Sequence, residues 1–213
     1  MVTDRALRTR TRLQAIALEL FTVQGYDATT VEQIAAAAGV SHMTFFRHFP
    51  TKESVLVEDP YDPLVAAAVR AQPTDLPPLE RVRRGILAAW TGAPMPVDQE
   101  TQARVAIMSG HEKLRAKGWE NTLQTQRVIV EALEATGVPR REAVVAAGAC
   151  LGAVMAALFD WGLEGGAESL GSRLLAALDQ LAPPGTPTRA PTAPAEPDPS
   201  STPTRTPTPG DMT

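Results

Sequence analysis

Leu13, Ile16, Ala17, Leu20 and Phe21 recur at i, i+3, i+4, i+7 and i+8, the spacing of a helix with one apolar face. Gly25 follows, where a left-handed cap residue ends such a helix. The next stretch, TTVEQIAAAAGV, opens with Thr29 and carries Glu32 three residues on, which predicts a capping box. Val31, Ile34, Ala35 and Ala38 supply its apolar face, and Gly39 with Val40 marks its end. Ser41 is a natural N-cap for a short third helix over 42–48. Two short helices joined by a tight glycine-containing turn make a helix-turn-helix.

Beyond Pro50 the helical pattern continues. Thr51 is placed to cap a fourth helix from Lys52, interrupted at Pro60 and Pro63 and resuming to Ala71. Residues 73–78 and 92–96 read as loops, and 79–91, 98–109, 112–136, 140–163 and 167–181 as helices, with a break near Gly110 or Gly118. No alternating strand pattern of useful length occurs, so the chain reads as all-α. Residues 143–159, AVVAAGACLGAVMAALF, carry no charge. The run is short and rich in Ala and Gly, so a buried helix is expected rather than a membrane span. Pro and Thr dominate from Pro183 onward without periodicity, which predicts a disordered tail.

Composition narrows the class. The chain of 213 residues is 44% hydrophobic and 21% charged, as expected of a soluble globular protein with a real core. One cysteine, Cys150, rules out an internal disulfide framework and suits a reducing cytoplasm. Met1 to Arg12 is polar and arginine-rich, so no signal peptide is expected. Residues 1–52 carry six Arg/Lys against four acids, a net +2 that leaves −6 on the remainder. A basic head on an acidic body fits a nucleic-acid reader with a separate second domain. Three histidines and one cysteine give no HExxH, no zinc spacing and no phosphate-binding glycine loop. Ser109 and His111 are too close to form a triad pair, and His42 and His48 share no metal-binding face. No enzyme, cofactor or metal site is expected.

The stretch AAGVSHMTFFRHFPTKE (37–53) holds three of the five phenylalanines and two of the three histidines. On a helix over 42–48, Phe45 and Phe49 share one face, which must pack on Ile34, Phe21 and Leu20. Phe46 turns away with His42, Thr44 and His48 share another side, and Arg47 lies near Met43 and Thr44. A helix this short is unstable alone, so its inner face anchors it and its outer face is free to enter a major groove.

TTVEQIAAAAGVSHMTFFRHFPTKESV (29–55) resembles the DNA-binding signature of the TetR family of bacterial transcriptional repressors. The likeness rests on the Thr-capped helix with Ile-Ala, the Ala-Gly-Val-Ser turn, the Thr-Phe-aromatic-x-His-Phe run and the following Lys-Glu pair. It covers roughly residues 8–57. The resemblance implies an N-terminal three-helix DNA-binding domain (1–51), a helical ligand-binding and dimerisation domain (52–182) and the tail (183–213). It also implies phosphate contacts from His48 and Lys52. Thr29, Thr30 and Ser41 are caps or further phosphate contacts. His42, Met43, Thr44 and Arg47 are candidates for base edges. Phe46 stands where the family usually has a tyrosine whose hydroxyl reaches a phosphate, and Met43 where a small residue is common. Arg5, Arg8, Arg10 and Arg12 form either an arm along the DNA or a solvated terminus.

The remaining expectations come from the family layout. Val128, Leu133, Val144, Ala147, Leu151 and Met155 fall in or near a four-helix seam between two copies, or in a monomer core. Trp90, Met95, Met108, His111, Trp119, Phe159 and Trp161 are large mid-domain residues; Trp90, Met108, His111, Trp119 and Phe159 are the ligand-site candidates, with ordinary core as the alternative. The expected function is that of a homodimeric regulator on a palindromic double-stranded operator, released by a small, largely apolar molecule. An all-helical ligand-binding or interaction protein that has lost DNA binding is the alternative, raised by Phe46 and Met43.

Overall fold

The structure, a computed structural model, describes residues 4–57, 62–92, 99–164 and 168–182. The expected tail and Met95 lie outside these residues. Among the described residues the regular elements are ten helices and no strand: α1 (Asp4–Gln24), α2 (Val31–Ala37), α3 (His42–His48), α4 (Ser54–Val57), α5 (Asp62–Arg70), α6 (Pro78–Gly92), α7 (Gln99–Gly110), α8 (Glu112–Glu134), α9 (Arg140–Glu164) and α10 (Leu170–Asp179). The all-α expectation holds.

Several boundaries differ from the expected ones for local reasons. The α2 cap is Thr30, not Thr29: Thr30 Oγ1 accepts from Gln33 N at 3.3 Å and Gln33 Oε1 accepts from Thr30 N at 2.8 Å. Thr29 is buried, its hydroxyl donating to the Gly25 carbonyl and accepting from Gln24 Nε2. The capping box is therefore shifted by one residue, with Gln33 in place of Glu32. Helix α1 starts at Asp4, so the four arginines are helical rather than an extended arm. Arg10 Nη1 donates to the His48 carbonyl at 2.7 Å, and its guanidinium lies 4.3 Å over the Phe49 ring, which holds that end of α1 on α3. Helix α8 runs through Gly118 without a break, because Gly118 is buried against Phe159, Met155 and Met108. The break falls at Gly110, before His111.

The turn between α2 and α3 follows the expected rule. Gly39 has φ +65°, and the Val40 and Gly39 N–H groups donate to the Ala35 and Ala36 carbonyls. That left-handed step satisfies two orphan carbonyls and turns the chain tightly into Ser41. Ser41 caps α3 through Thr44 N at 3.1 Å.

The core built around Leu13, Phe21, Ile34, Phe45 and Phe49 continues through Val55 and Leu56 into Met108, Leu114 and Phe159. A second cluster joins α5, α6, α8, α9 and α10 around Val69, Ile129, Leu133 and Ala147. Helix α9 is long and apolar enough to cross a bilayer by length and composition, but it packs against α6, α7, α8 and α10. That matches the buried-helix expectation. One charged cluster accompanies this core: Arg83 grips Glu80 with two bonds of 2.7 and 2.9 Å and reaches Asp179 of α10 at 3.0 Å. The Arg83 bonds hold the Glu80 carboxyl below its ordinary value against the opposing effect of burial.

Close approach of α7 and α9 depends on Gly162. A methyl group there would collide with Ser109 Oγ and lie 2.9 Å from the Val105 carbonyl oxygen. Gly162→Ala should therefore overpack this contact by about 2 kcal/mol and lower Tm by roughly 4–8 °C in a thermal melt. An unchanged Tm would show that the two helices are not held this closely.

Candidate nucleic-acid interface and internal cavity

Helix α3 divides along its length. Phe45 and Phe49 are fully buried, with ring centroids 5.7 Å apart, whereas Met43 is 68% and Phe46 38% exposed. Ser41, His42 and Arg47 are exposed as well, and Thr44 and His48 are half-buried at the edge. The Phe46 ring stacks edge-on against His42 at 4.6 Å and Phe45 at 5.5 Å. His42 Nε2 in turn lies 3.3 Å from Glu32 Oε1 on α2. Ser41 Oγ and Thr44 Oγ1 are 2.9 Å apart, so both hydroxyls serve the cap while remaining at the surface. The exposed side of α3 thus presents one cation, an aromatic edge, a thioether and small hydroxyls.

Two of the expected phosphate contacts are spent within the chain. Thr29 is buried. Lys52 Nζ donates to the Tyr26 and Thr29 carbonyls at 2.9 and 3.0 Å and sits 4.0 Å over the Tyr26 ring. Its ammonium satisfies the carbonyls at the turn between α1 and α2, which is why a positive charge is tolerated so near the start of α4. Tyr26, absent from the sequence-based candidates, is the centre of this support. Its hydroxyl donates to Glu53 Oε1 at 2.9 Å, and its ring packs 5.1 Å from His111 and from Phe21. Burial, and then the neighbouring Glu53, push the Tyr26 hydroxyl well above its ordinary value. Burial works to raise the Glu53 carboxyl as well. It is outweighed by a bond from the residue's own N–H, the Tyr26 hydroxyl, Thr51 and Lys52, which together hold the carboxyl below its ordinary value.

A cavity of about 210 Å³ opens among α4 to α10. Each wall follows a helical repeat: Ile86, Ala89 and Trp90 from α6, Leu151, Val154, Met155 and Leu158 from α9, and Leu170 and Leu174 from α10. Helices α7 and α8 supply its polar side chains, Thr101, Arg104, Asn121, Thr122 and Thr125. Of the sequence-based ligand candidates, Trp90 and Met108 line this cavity. His111 does not: it stands against Tyr26, with Nδ1 2.8 Å from the Ile107 carbonyl oxygen. Trp119 is 45% exposed and Phe159 is core beside Gly118, and neither lines the cavity. Arg104 and Asn121 were missed because a polar residue in mid-helix looks like solvent-facing surface until the neighbouring helices are placed.

The proposed seam also divides. Leu133 and Ala147 are fully buried inside the single chain and have no surface left for another copy. Leu151 and Met155 are buried and line the cavity. Val128 is half-buried, and Val144 is exposed on α9 next to Val145 at 69%.

Comparisons with known proteins decide the family. A model described as bacterial regulatory proteins, tetR family, matches residues 14–58, and one described as the MftR C-terminal domain matches residues 76–186. The chain belongs to the TetR family. A curated relative, the HTH-type transcriptional regulator TcmR of Streptomyces glaucescens, is 43% identical over 99 residues, which cover 40% of this chain and 44% of that protein. The match thus spans less than half of that relative. Among solved structures, SmeT in complex with triclosan aligns with TM-score 0.57 and 20% identity over 89% of this chain and 100% of SmeT. SmeT is the repressor of a multidrug efflux pump of Stenotrophomonas maltophilia. NalD, the secondary repressor of a Pseudomonas aeruginosa efflux pump, aligns with TM-score 0.50 and 22% identity over 84% of this chain and 96% of NalD. These two likenesses establish the TetR fold. The TetR model over 14–58 contains all of α2, α3 and α4, including the divided helix.

The Tyr26 support has a signed pH consequence. A hydroxyl whose folded value lies above its unfolded value of 10.0 lends stability that is complete below pH 10 and lost as pH rises beyond it. Tyr26→Phe should therefore flatten the alkaline fall in unfolding free energy by up to about 1.4 kcal/mol per pH unit, measured by denaturant titration. Identical alkaline slopes in both proteins would show that the hydroxyl is not held in this environment.

Proposed function

We propose that this TetR-family chain is a homodimeric repressor whose exposed α3 face reads a palindromic operator, and that a small molecule in the cavity releases it. The observation that carries this reading is the division of α3, in which Phe45 and Phe49 are consumed as anchors while His42, Met43, Phe46 and Arg47 face outward. Arg47 is the candidate for guanine O6 and N7, and Met43 and Thr44 for a thymine methyl. Ser41, Thr30 and His48 take phosphates. Phe46 packs against the sugar-phosphate edge where a tyrosine hydroxyl would have donated. Thr29 and Lys52 act from beneath, by holding the turn that carries α2 and α3.

Two copies meet through apolar positions of α8 and α9 that keep free surface: the half-buried Val128 and the exposed Leu123, Val144 and Val145. Gly148 and Gly152 allow close approach there. A pair is needed because one short helix reads few bases, and two-fold symmetry doubles the contacts. Regulation fits the cavity's neighbours. Leu56 and Val57 of α4 line it directly behind the Lys52–Glu53 support, and Met108 lines it one turn before His111 reaches Tyr26. An occupant that favours a different placement of α4 and α7 shifts the reading heads, by as much as its differential affinity for the two states. SmeT, solved with triclosan, is a family precedent for such an occupant. The protein works in the cytoplasm, where operator DNA is. Catalysis is no part of the reading.

Selection of sites from random duplex DNA tests the proposal. The wild-type protein should enrich a palindrome. Arg47→Ala should relax one position in each half-site at a cost of about 1–3 kcal/mol. Phe46→Tyr should tighten binding severalfold on all sequences alike, as a phosphate contact does. Enrichment of no sequence at all would favour the alternative, a helical binding protein that has lost DNA recognition.

A further inference from the structure

The polar residues of the cavity have a sign. Thr101 and Arg104 of α7 and Asn121, Thr122 and Thr125 of α8 are its polar side chains, while the lining from α4, α5, α9 and α10 is wholly aliphatic or thioether. Arg104 is half-buried, and among the described residues it has no hydrogen bond and no ion pair. No Asp or Glu is among the described lining residues. The Asn121 side chain is likewise uncommitted, whereas the Thr122 hydroxyl already donates to the Gly118 carbonyl.

A guanidinium stays charged at any physiological pH, and its fork of donors matches a carboxylate. Beside an apolar wall that charge is poorly solvated, and nothing in the lining compensates it. A neutral, wholly apolar occupant would leave it so; an occupant carrying an anion would satisfy it with short, charge-assisted bonds. The volume, about 210 Å³, is below the roughly 300–1,000 Å³ of drug-sized sites, so the occupant is small. We propose that the effector is a small amphipathic carboxylate, its acid group held by Arg104 and Asn121 and its apolar body lying against Ile86, Trp90, Met155 and Leu174. This rests on the reading of the cavity as the effector site, and it sharpens the expectation of a largely apolar ligand by adding the charge.

Isothermal titration of the full-length protein at neutral pH tests it. The probes are the n-alkanoic acids from hexanoic to dodecanoic and naphthoic acid, each beside its primary amide, which matches the acid in shape but carries no charge. The wild-type protein should bind the best acid about tenfold more tightly than its amide. Arg104→Gln should bring the two within about threefold by weakening the acid alone, and Arg104→Lys should keep most of the preference. Thermal melts confirm that each variant is folded; if Arg104→Gln does not fold, the wild-type pair and Arg104→Lys decide. Acids and amides that bind equally well, or a preference that survives Arg104→Gln, would overturn the carboxylate assignment and leave the effector site standing. Binding by no member of either series would overturn both.

Discussion

A seven-residue helix cannot hold its own shape in water, and the proposed function depends on one being held still. Burial of Phe45 and Phe49 does most of this, each ring contributing on the order of 2–3 kcal/mol by removal from water. Arg10 adds a second constraint from α1, with one bond to the His48 carbonyl and its plane over Phe49. Ser41 adds a third at the other end. With three independent restraints on the inner side and both termini, the outer side is free to carry residues chosen for contact rather than packing.

The same economy governs what lies beneath. Tyr26 sits where α1 turns towards α2 and touches two distant parts of the chain: Lys52 above its ring with Glu53 at its hydroxyl, and His111 at its edge. His111 immediately precedes α8, and Met108, three residues earlier, belongs to the cavity wall. A short series of packed and hydrogen-bonded groups thus joins the cavity wall to the turn between α1 and α2. A core that continues from Phe45 to Phe159 accompanies it.

What was legible in the sequence was local. Gly39, Ser41 and the spacing of Phe45 and Phe49 carry their meaning in their immediate neighbours, and the structure places each as read. Thr29 and Thr30 are adjacent and chemically identical, and only the burial of one hydroxyl against Gly25 and Gln24 tells which is the cap. Lys52 reads as a surface cation until its two carbonyl partners, more than twenty residues away, are brought to it. Helix α9 is apolar on every side, so its sequence has no period that separates Ala147, facing the core, from Val145, facing out. Arg104 and Asn121 were invisible for the opposite reason, since an isolated polar residue on a helix predicts solvent. The cavity exists only once α6, α7, α8, α9 and α10 are assembled.

Contact between the outward face of α3 and DNA is tested by the affinity of the full-length protein for the DNA upstream of its own gene as salt is varied. A dimer that neutralises several phosphates loses roughly a thousandfold or more between about 50 and 200 mM salt, and a fall of that order from tight binding at low salt is expected. Absence of binding at low salt, or an affinity that barely changes across that range, would contradict it.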